Sequence, residues 1–414
     1  MKLLFLLLAL PLFCFGQNVN IPDANFKAYL VGNISINTNG DNQIQVSEAS
    51  AFNGEIYCVY QNIYNLTGIE AFVSLTSLNC SYCPLTSLDV STCTALIDLT
   101  CGGSQLTSLD VSTCSALTSL NCSYSPLTSL DASNCSALTN LYCDYNQLTS
   151  LDVSNCSALT TLYCAGNQLT SLDVSSCTAL TTLYCHSNQL TSLDVSTCSA
   201  LTDLVCAGNQ LTSVDVSTCT ALIDLNCSDN ELPSIDVSTC TALIDLNCHV
   251  NQLTSLDVSA CTALTGLECY DNNLTSLDVK NGNNNDMSYF NAANNPNLSC
   301  IEVDNVAWSN ANWSDDIDAT ASFSLNCSGA GILDINERNT LMLYPNPTNA
   351  DFTITGLELL GSVSSLTLND MNGKVVKVLD TKATKFSMGA IKPGVYFLNI
   401  RAENKQEVLK IVKE

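Results

Sequence analysis

Residues Leu159 to Ala179 read LTTLYCAGNQLTSLDVSSCTA, and Leu180 to Ala200 repeat them almost letter for letter as LTTLYCHSNQLTSLDVSTCSA. One cysteine column runs from Cys80 through Cys101, Cys122, Cys143 and Cys164 to Cys269 in steps of 21 residues. A second runs from Cys93 to Cys261 with the same step. A fixed period of this length is the signature of a solenoid, in which each repeat is one coil stacked on its neighbours. No helical period appears inside the unit. It therefore predicts a strand around Leu162–Cys164 and a second extended segment around Leu172–Val174. Leucine, valine and cysteine point inward, because a single coil cannot bury itself and a stack can.

Leu159, Leu162, Cys164, Asn167 and Leu169 fit L-x-x-L-x-L-x-x-N-x-L with cysteine in the third apolar slot. In these residues the chain resembles the leucine-rich repeat family, in the style of internalins, across roughly residues 55–280. The expected fold is a β-rich solenoid of about ten such 21-residue repeats, with a small helical N-terminal cap and a C-terminal β-sandwich. The corner asparagines Asn146, Asn167, Asn188, Asn209, Asn230, Asn251 and Asn272 form a third column. Their amides suit turn groups that no strand ladder reaches.

The cysteines read first as core. Stacked parallel strands lie about 4.8 Å apart, whereas disulfide Cβ atoms want about 3.8 Å, so bridging every rung would strain the stack. Unpaired buried thiols behave as small apolar groups. Some cross-coil bridges remain open as an alternative, and metal ligation lacks the clustered spacing of zinc sites. Cys300 and Cys327 leave both columns and are the candidates for a disulfide.

The chain has 414 residues and a net charge of −26. Between Lys27 and Lys280 it holds no lysine or arginine, and ten of its thirteen basic residues follow Gly331. A nucleic-acid partner needs clustered cations, so that class is excluded for the repeats. An acidic field favours cations instead. The opening MKLLFLLLALPLFCFG, residues 1–16, reads as a secretory signal peptide. Bulky Phe13 before Cys14 argues against a lipidated cysteine, and no later segment is apolar enough to span a membrane.

Residues 17–54 form the expected N-terminal cap. Within it, Asn37, Asn39, Asp41, Gln43 and Glu48 sit at positions 1, 3, 5, 7 and 12 of a segment that resembles an EF-hand loop. That resemblance implies calcium, with Glu48 chelating through both oxygens. Asn37 stands where aspartate is usual and Asn42 where glycine is usual. A capping turn without an ion is the competing reading. Solenoid residues 55–282 are followed by an expected cap at 283–328, with Trp308 and Trp313 covering the core end, and by a linker at 329–340.

Residues 341–414 alternate strand and turn signals. Tyr344-Pro345-Asn346-Pro347, Gly373-Lys374, Pro393-Gly394-Val395-Tyr396 and Lys410-Ile411-Val412-Lys413 make this tail resemble the type IX secretion sorting domain of Bacteroidetes. The resemblance implies engagement of that secretion machinery, export across the outer membrane, removal of the domain, and release or surface attachment.

Function is sought where the repeats differ. Tyr142, Tyr163 and Tyr184 succeed one another beside the inward leucines, with Tyr145 and His186 nearby, and Asp203, Asp224 and Asp245 follow them. Leucine-rich repeats bind on this concave face, which implies a protein or polysaccharide ligand and a role in adhesion. The plain alternative is a solvated strand surface on which stacked tyrosines favour β structure. The convex column Asp89, Asp110, Asp131 through Asp278 reads as a solvated face, or as rungs bridged by calcium in a structural matrix protein. A regular column of threonines, Thr107 to Thr212, carries the remote alternative of ice binding. Catalysis is not expected. The two histidines, His186 and His249, stand three coils apart, and no nucleophile, zinc or phosphate-loop motif occurs.

Overall fold

The computed structural model describes residues 16–327 and, in the C-terminal unit, 342–344, 348–349, 351–355, 357–360, 362–371, 373–402 and 406–413. The signal peptide short of Gly16, the predicted linker from 329 to 340, and Pro345–Pro347 of the tail motif lie outside the described residues. The chain divides into two units, Met1–Gly329 and Ala330–Glu414.

In the first unit every repeat contributes a three-residue strand to one parallel sheet of twelve, from Glu55–Tyr57 to Tyr289–Asn291. The central residue of each strand, leucine in all but the first and last, is buried, and in most strands its two neighbours face outward, half covered. The period of two in a strand dictates this alternation. Neighbouring coils pair in phase, so Tyr142 stands beside Tyr163 and Tyr163 beside Tyr184. The ladder runs past the strand ends: Cys164 N–H donates to Tyr184 O at 2.8 Å and Thr181 N–H to Thr160 O at 2.9 Å. The second extended segment forms strands only in places, at Ser129–Asp131 with Ser150–Asp152 and at Ser255–Asp257 with Ser276–Asp278.

Both cysteine columns are buried in one continuous core with the leucines and valines. All twenty-one unpaired cysteines among the described residues are buried. In the first column the thiols of Cys80, Cys122 and Cys143 lie against the next coil's carbonyls, Cys143 Sγ at 3.4 Å from Tyr163 O. Burial holds these thiols protonated, pushing Cys101 and Cys206 up to about 12. The corner asparagines cross-link the stack. Asn188 Nδ2 donates to Cys164 O, Cys185 O and His186 O, and its Oδ1 accepts Leu169 N–H at 3.0 Å. At the convex turns Asp173 Oδ1 accepts Ser175 N–H at 2.9 Å, a bond that recurs from Asp89 to Asp257.

Helices α1 (Ala24–Gly32) and α2 (Val46–Ala51) form the N-terminal cap. Phe26, Leu30, Ile36 and Ile44 seal the core end. Asp23 starts α1 by accepting Asn25 and Phe26 N–H, and its other oxygen accepts Tyr64 and Asn65 N–H, tying cap to coil.

The expected boundary at residue 283 needs correction, because the stacking continues beyond it. Tyr289–Asn291 pairs with Gly266–Glu268, and Cys300–Glu302 and Ser322–Ser324 extend the second sheet. Phe290 fills the place of a leucine, Ala292 that of a cysteine, and Asn295 repeats the corner bonds to Cys269 O and Leu274 N. Geometry thus persists where the cysteine signature ends. Helix α3 (Val306–Asn312) and Trp313, packed on Phe290 at 4.4 Å, close the end. Cys300 and Cys327 are joined in a disulfide with Cα atoms 5.8 Å apart.

The second unit holds two antiparallel sheets. Phe352, Ile354 and Phe386 from one, and Leu366, Leu398, Ile400 and Ile411 from the other, share a single core, which is a small sandwich.

Candidate functional site

The outward face of the long sheet brings most of the sequence-derived site residues together. Tyr142 meets Tyr163 edge-on at 5.2 Å between ring centroids, and Tyr163 stacks on Tyr184 at 4.5 Å. In-phase pairing makes this unavoidable once three successive coils carry tyrosine at one position. His186 approaches the edge of Tyr184 at 6.4 Å, and its buried Nδ1 has no hydrogen-bond partner among the described residues. Burial pushes its pKa down, against the pull of Asp144. Asp144 accepts Ala165 N–H and Ser123 Oγ, yet burial still holds its carboxyl above the usual range.

Asp203, Asp224 and Asp245 follow in register on the next three strands. Burial, reinforced by Asp245 and Asp203 on either side, raises the Asp224 carboxyl. Tyr289, which the sequence reading passed over, closes this row by donating its hydroxyl to Asp245 at 2.9 Å. Its signal was hidden because residue 289 was assigned to a cap rather than to a strand.

Tyr145 does not join this group. It occupies a second column, two residues beyond each cysteine of the first, where the backbone is left-handed: Tyr60, Tyr82, Tyr124 and Tyr145 have φ of 58°, 55°, 59° and 52°. Tyr60 stacks on Tyr82 at 4.5 Å and Tyr124 on Tyr145 at 4.9 Å. Of these four only Tyr145 was singled out from the sequence, and the backbone conformation that turns the rings outward was not legible there.

In the N-terminal loop Glu48 Oε1 accepts N–H groups of Thr38 and Asn39 and the Thr38 hydroxyl, while Oε2 accepts Gln45 N–H as part of the α2 cap. Asp41 accepts from Gln43 N–H, Asn39 Nδ2 and Gln45 Nε2. Asn37, only 5 % exposed, keeps a buried Oδ1 with no partner among the described residues. The donors are all hard oxygens and fit a calcium-type ion in kind. Glu48 would have to exchange its amide partners for the ion. No group of three or more histidine, cysteine, aspartate or glutamate side chains poised for a metal occurs among the described residues.

Comparisons agree with this architecture. Residues 342–414 match the secretion system C-terminal sorting domain, and residues 157–198 match two copies of the leucine-rich repeats. The functional domain of InlJ from Listeria monocytogenes, described as including a cysteine ladder, is 26 % identical. It aligns over 96 % of this chain and 99 % of its own length with a TM-score of 0.61. The internalin inlF of the same organism aligns at 19 % identity over 68 % of this chain and 98 % of its own, TM-score 0.43. YopM from Yersinia pestis aligns at 23 % over 55 % and 68 %, TM-score 0.46. No curated protein matches the chain in sequence.

Fold and matches together define an exported leucine-rich repeat protein. Its C-terminal unit is a type IX sorting domain, so the chain is destined for secretion or the outer cell surface. No helix among the described residues is long and apolar enough to cross a membrane. The families matched are binding and sorting modules; no enzyme family is among them.

Proposed function

We propose that this chain is an adhesion or ligand-recognition protein of the cell exterior that binds through the outward face of its long sheet. The observation that supports this reading most is the junction of Tyr142, Tyr163, Tyr184 and His186 with the acidic row Asp203, Asp224 and Asp245. Here rigid rings, an unpartnered imidazole and crowded carboxylates lie half-buried on one surface. Such groups do little for folding and suit a partner that brings cations and apolar surface. A protein presenting lysine or arginine fits best; a polysaccharide is the competing ligand for the same face. Cell-surface binding by the secreted chain is the test. Changing Tyr142, Tyr163 and Tyr184 to serine should reduce binding at least tenfold, and unchanged binding would move the site off this face.

A second reading has calcium organising the N-terminal cap, and the buried, unpartnered Oδ1 of Asn37 favours it. Asn37, Asn39, Asp41, Gln43 and Glu48 would hold the ion. Calorimetry with calcium on the chain and on Glu48→Gln decides: heats that do not differ between the two would sink the assignment.

A further inference from the structure

The left-handed column carries four tyrosines in two stacked pairs, and none has an evident role in holding the coil together. Their rings are 65 %, 50 %, 59 % and 50 % exposed at Tyr60, Tyr82, Tyr124 and Tyr145. A left-handed backbone is unfavourable for any residue with a Cβ, least so for asparagine and aspartate, and costs glycine, which has none, nothing. Other coils fill the same position with Gly103, Gly166, Ser187, Gly208, Asp229, Val250, Asp271 and Asn294. Six of these eight are glycine, aspartate or asparagine, as the backbone favours, and bulky residues held there by their surroundings mark candidate functional positions.

Each pair is followed by a glycine that makes room for it. A Cβ on Gly103 would approach Tyr82 Cδ1 to 2.4 Å, and one on Gly166 would approach Tyr145 Cδ1 to 2.7 Å. The backbone beneath is fixed, since Tyr82 N–H donates to Gly102 O at 2.9 Å and Tyr145 N–H to Ala165 O at 2.8 Å. The plates are therefore pre-set rather than floppy, which lowers the entropy lost on binding. The second pair stands three coils beyond the first, about 14 Å at 4.8 Å per coil.

We propose that Tyr60–Tyr82 and Tyr124–Tyr145 form a two-station platform for a linear, uncharged polysaccharide. The apolar C–H face of a pyranose packs on a flat aromatic ring, and the phenol hydroxyls meet sugar hydroxyls at the rim. Two equal stations in a row suit a polymer that repeats, because the second contact becomes intramolecular once the first is made. The absence of lysine and arginine between Lys27 and Lys280 leaves these coils nothing to pair with an acidic glycan. This platform is separate from the Tyr142–Tyr163–Tyr184 face, and it stands or falls independently of that site.

Native affinity electrophoresis tests it, running the full secreted chain through gels containing galactomannan, xyloglucan, laminarin or mixed-linkage β-glucan, with alginate as the charged control. Retardation is expected in at least one neutral gel and not in alginate. The double variant Tyr82→Asn with Tyr145→Asn should lose at least tenfold in affinity while melting no lower than the parent. Tyr82→Phe with Tyr145→Phe should retain most of the retardation, and Tyr163→Ser with Tyr184→Ser should retain all of it. Migration unaffected by every neutral polysaccharide overturns the proposal. So does undiminished binding by the asparagine variant, or a lowered melting temperature that marks the rings as structural. Capture of a protein in place of any glycan overturns it equally.

Discussion

The ring of Tyr145 lies directly over the backbone of Gly166, leaving a would-be Cβ on that glycine 2.7 Å from Cδ1. Gly208 has the same left-handed conformation, but a Cβ there would meet nothing closer than 3.6 Å. Two identical substitutions should therefore differ. Gly208→Ala adds only the strain of a Cβ on a left-handed backbone, about 1 kcal/mol, whereas Gly166→Ala adds a clash as well and should cost about 2–3 kcal/mol. Chemical denaturation of both, repeated with Tyr145→Asn, should show the excess vanish once the ring is gone.

Removing a corner amide should be costlier still. Asn188→Ala leaves Leu169 N–H and the carbonyls of Cys164, Cys185 and His186 without their side-chain partner. Buried groups left unpartnered cost about 1–3 kcal/mol each, less where water enters. A loss of about 3 kcal/mol is expected, read as a lower denaturation midpoint. A loss under about 0.5 kcal/mol would show that the column is ornamental.

The cysteine columns make a prediction about reactivity. The thiolate is the reactive form, and burial holds Cys122, Cys143 and Cys185 well above the ordinary thiol range. The folded chain should resist a thiol-specific reagent near neutral pH at every buried thiol but Cys83, which its hydrogen bond with Cys58 pulls down to about 6. After denaturation without reductant, the twenty-one buried cysteines should all react while Cys300 and Cys327 do not. A much smaller count would mean that rungs of the columns are bridged.

Acid should unfold the solenoid through its convex face. Hydrogen bonds from Ser91, Ser112, Ser133, Ser175, Ser196, Ser217 and Ser238 hold Asp89, Asp110, Asp131, Asp173, Asp194, Asp215 and Asp236 below 3.8. A lowered carboxyl stabilises the fold above its unfolded value, and that contribution is lost as pH falls through the folded one. Asp144, Asp224 and Asp278, raised by burial, act oppositely and gain as pH falls toward 3.8. The melting temperature should therefore drop steeply only below about pH 3.8, the seven lowered carboxyls outweighing the three raised ones. A steep loss already at about pH 5 would contradict this.

Much of the molecule was legible because its repeat is so strict. The inward leucines, the cysteine columns and the corner asparagines could each be placed from spacing alone, and Asn188 sits where that spacing put it. Two things were hidden. The stacking beyond residue 283 escaped notice since Phe290 and Ala292 replace the leucine and cysteine that marked every earlier coil. The tyrosines at 60, 82 and 124 escaped because a left-handed φ leaves no periodic trace when its residue varies from tyrosine to glycine, serine and valine. Tyr145 was noticed but assigned to the wrong neighbours: its partner is Tyr124, one coil back, not the Tyr163 row.

The near-identity of successive coils has a consequence at the level of the gene. Repeated coding units of 21 codons invite unequal recombination, and any slip by one unit stays in frame. A gained unit adds one rung of about 4.8 Å and two interfaces like those already present, so the folded chain accepts it. Inserted between Tyr82 and Tyr124, it would widen the gap between the aromatic pairs by that one step. Heritable length variation thus becomes a ruler, resetting the distance between surface features without redesigning any of them.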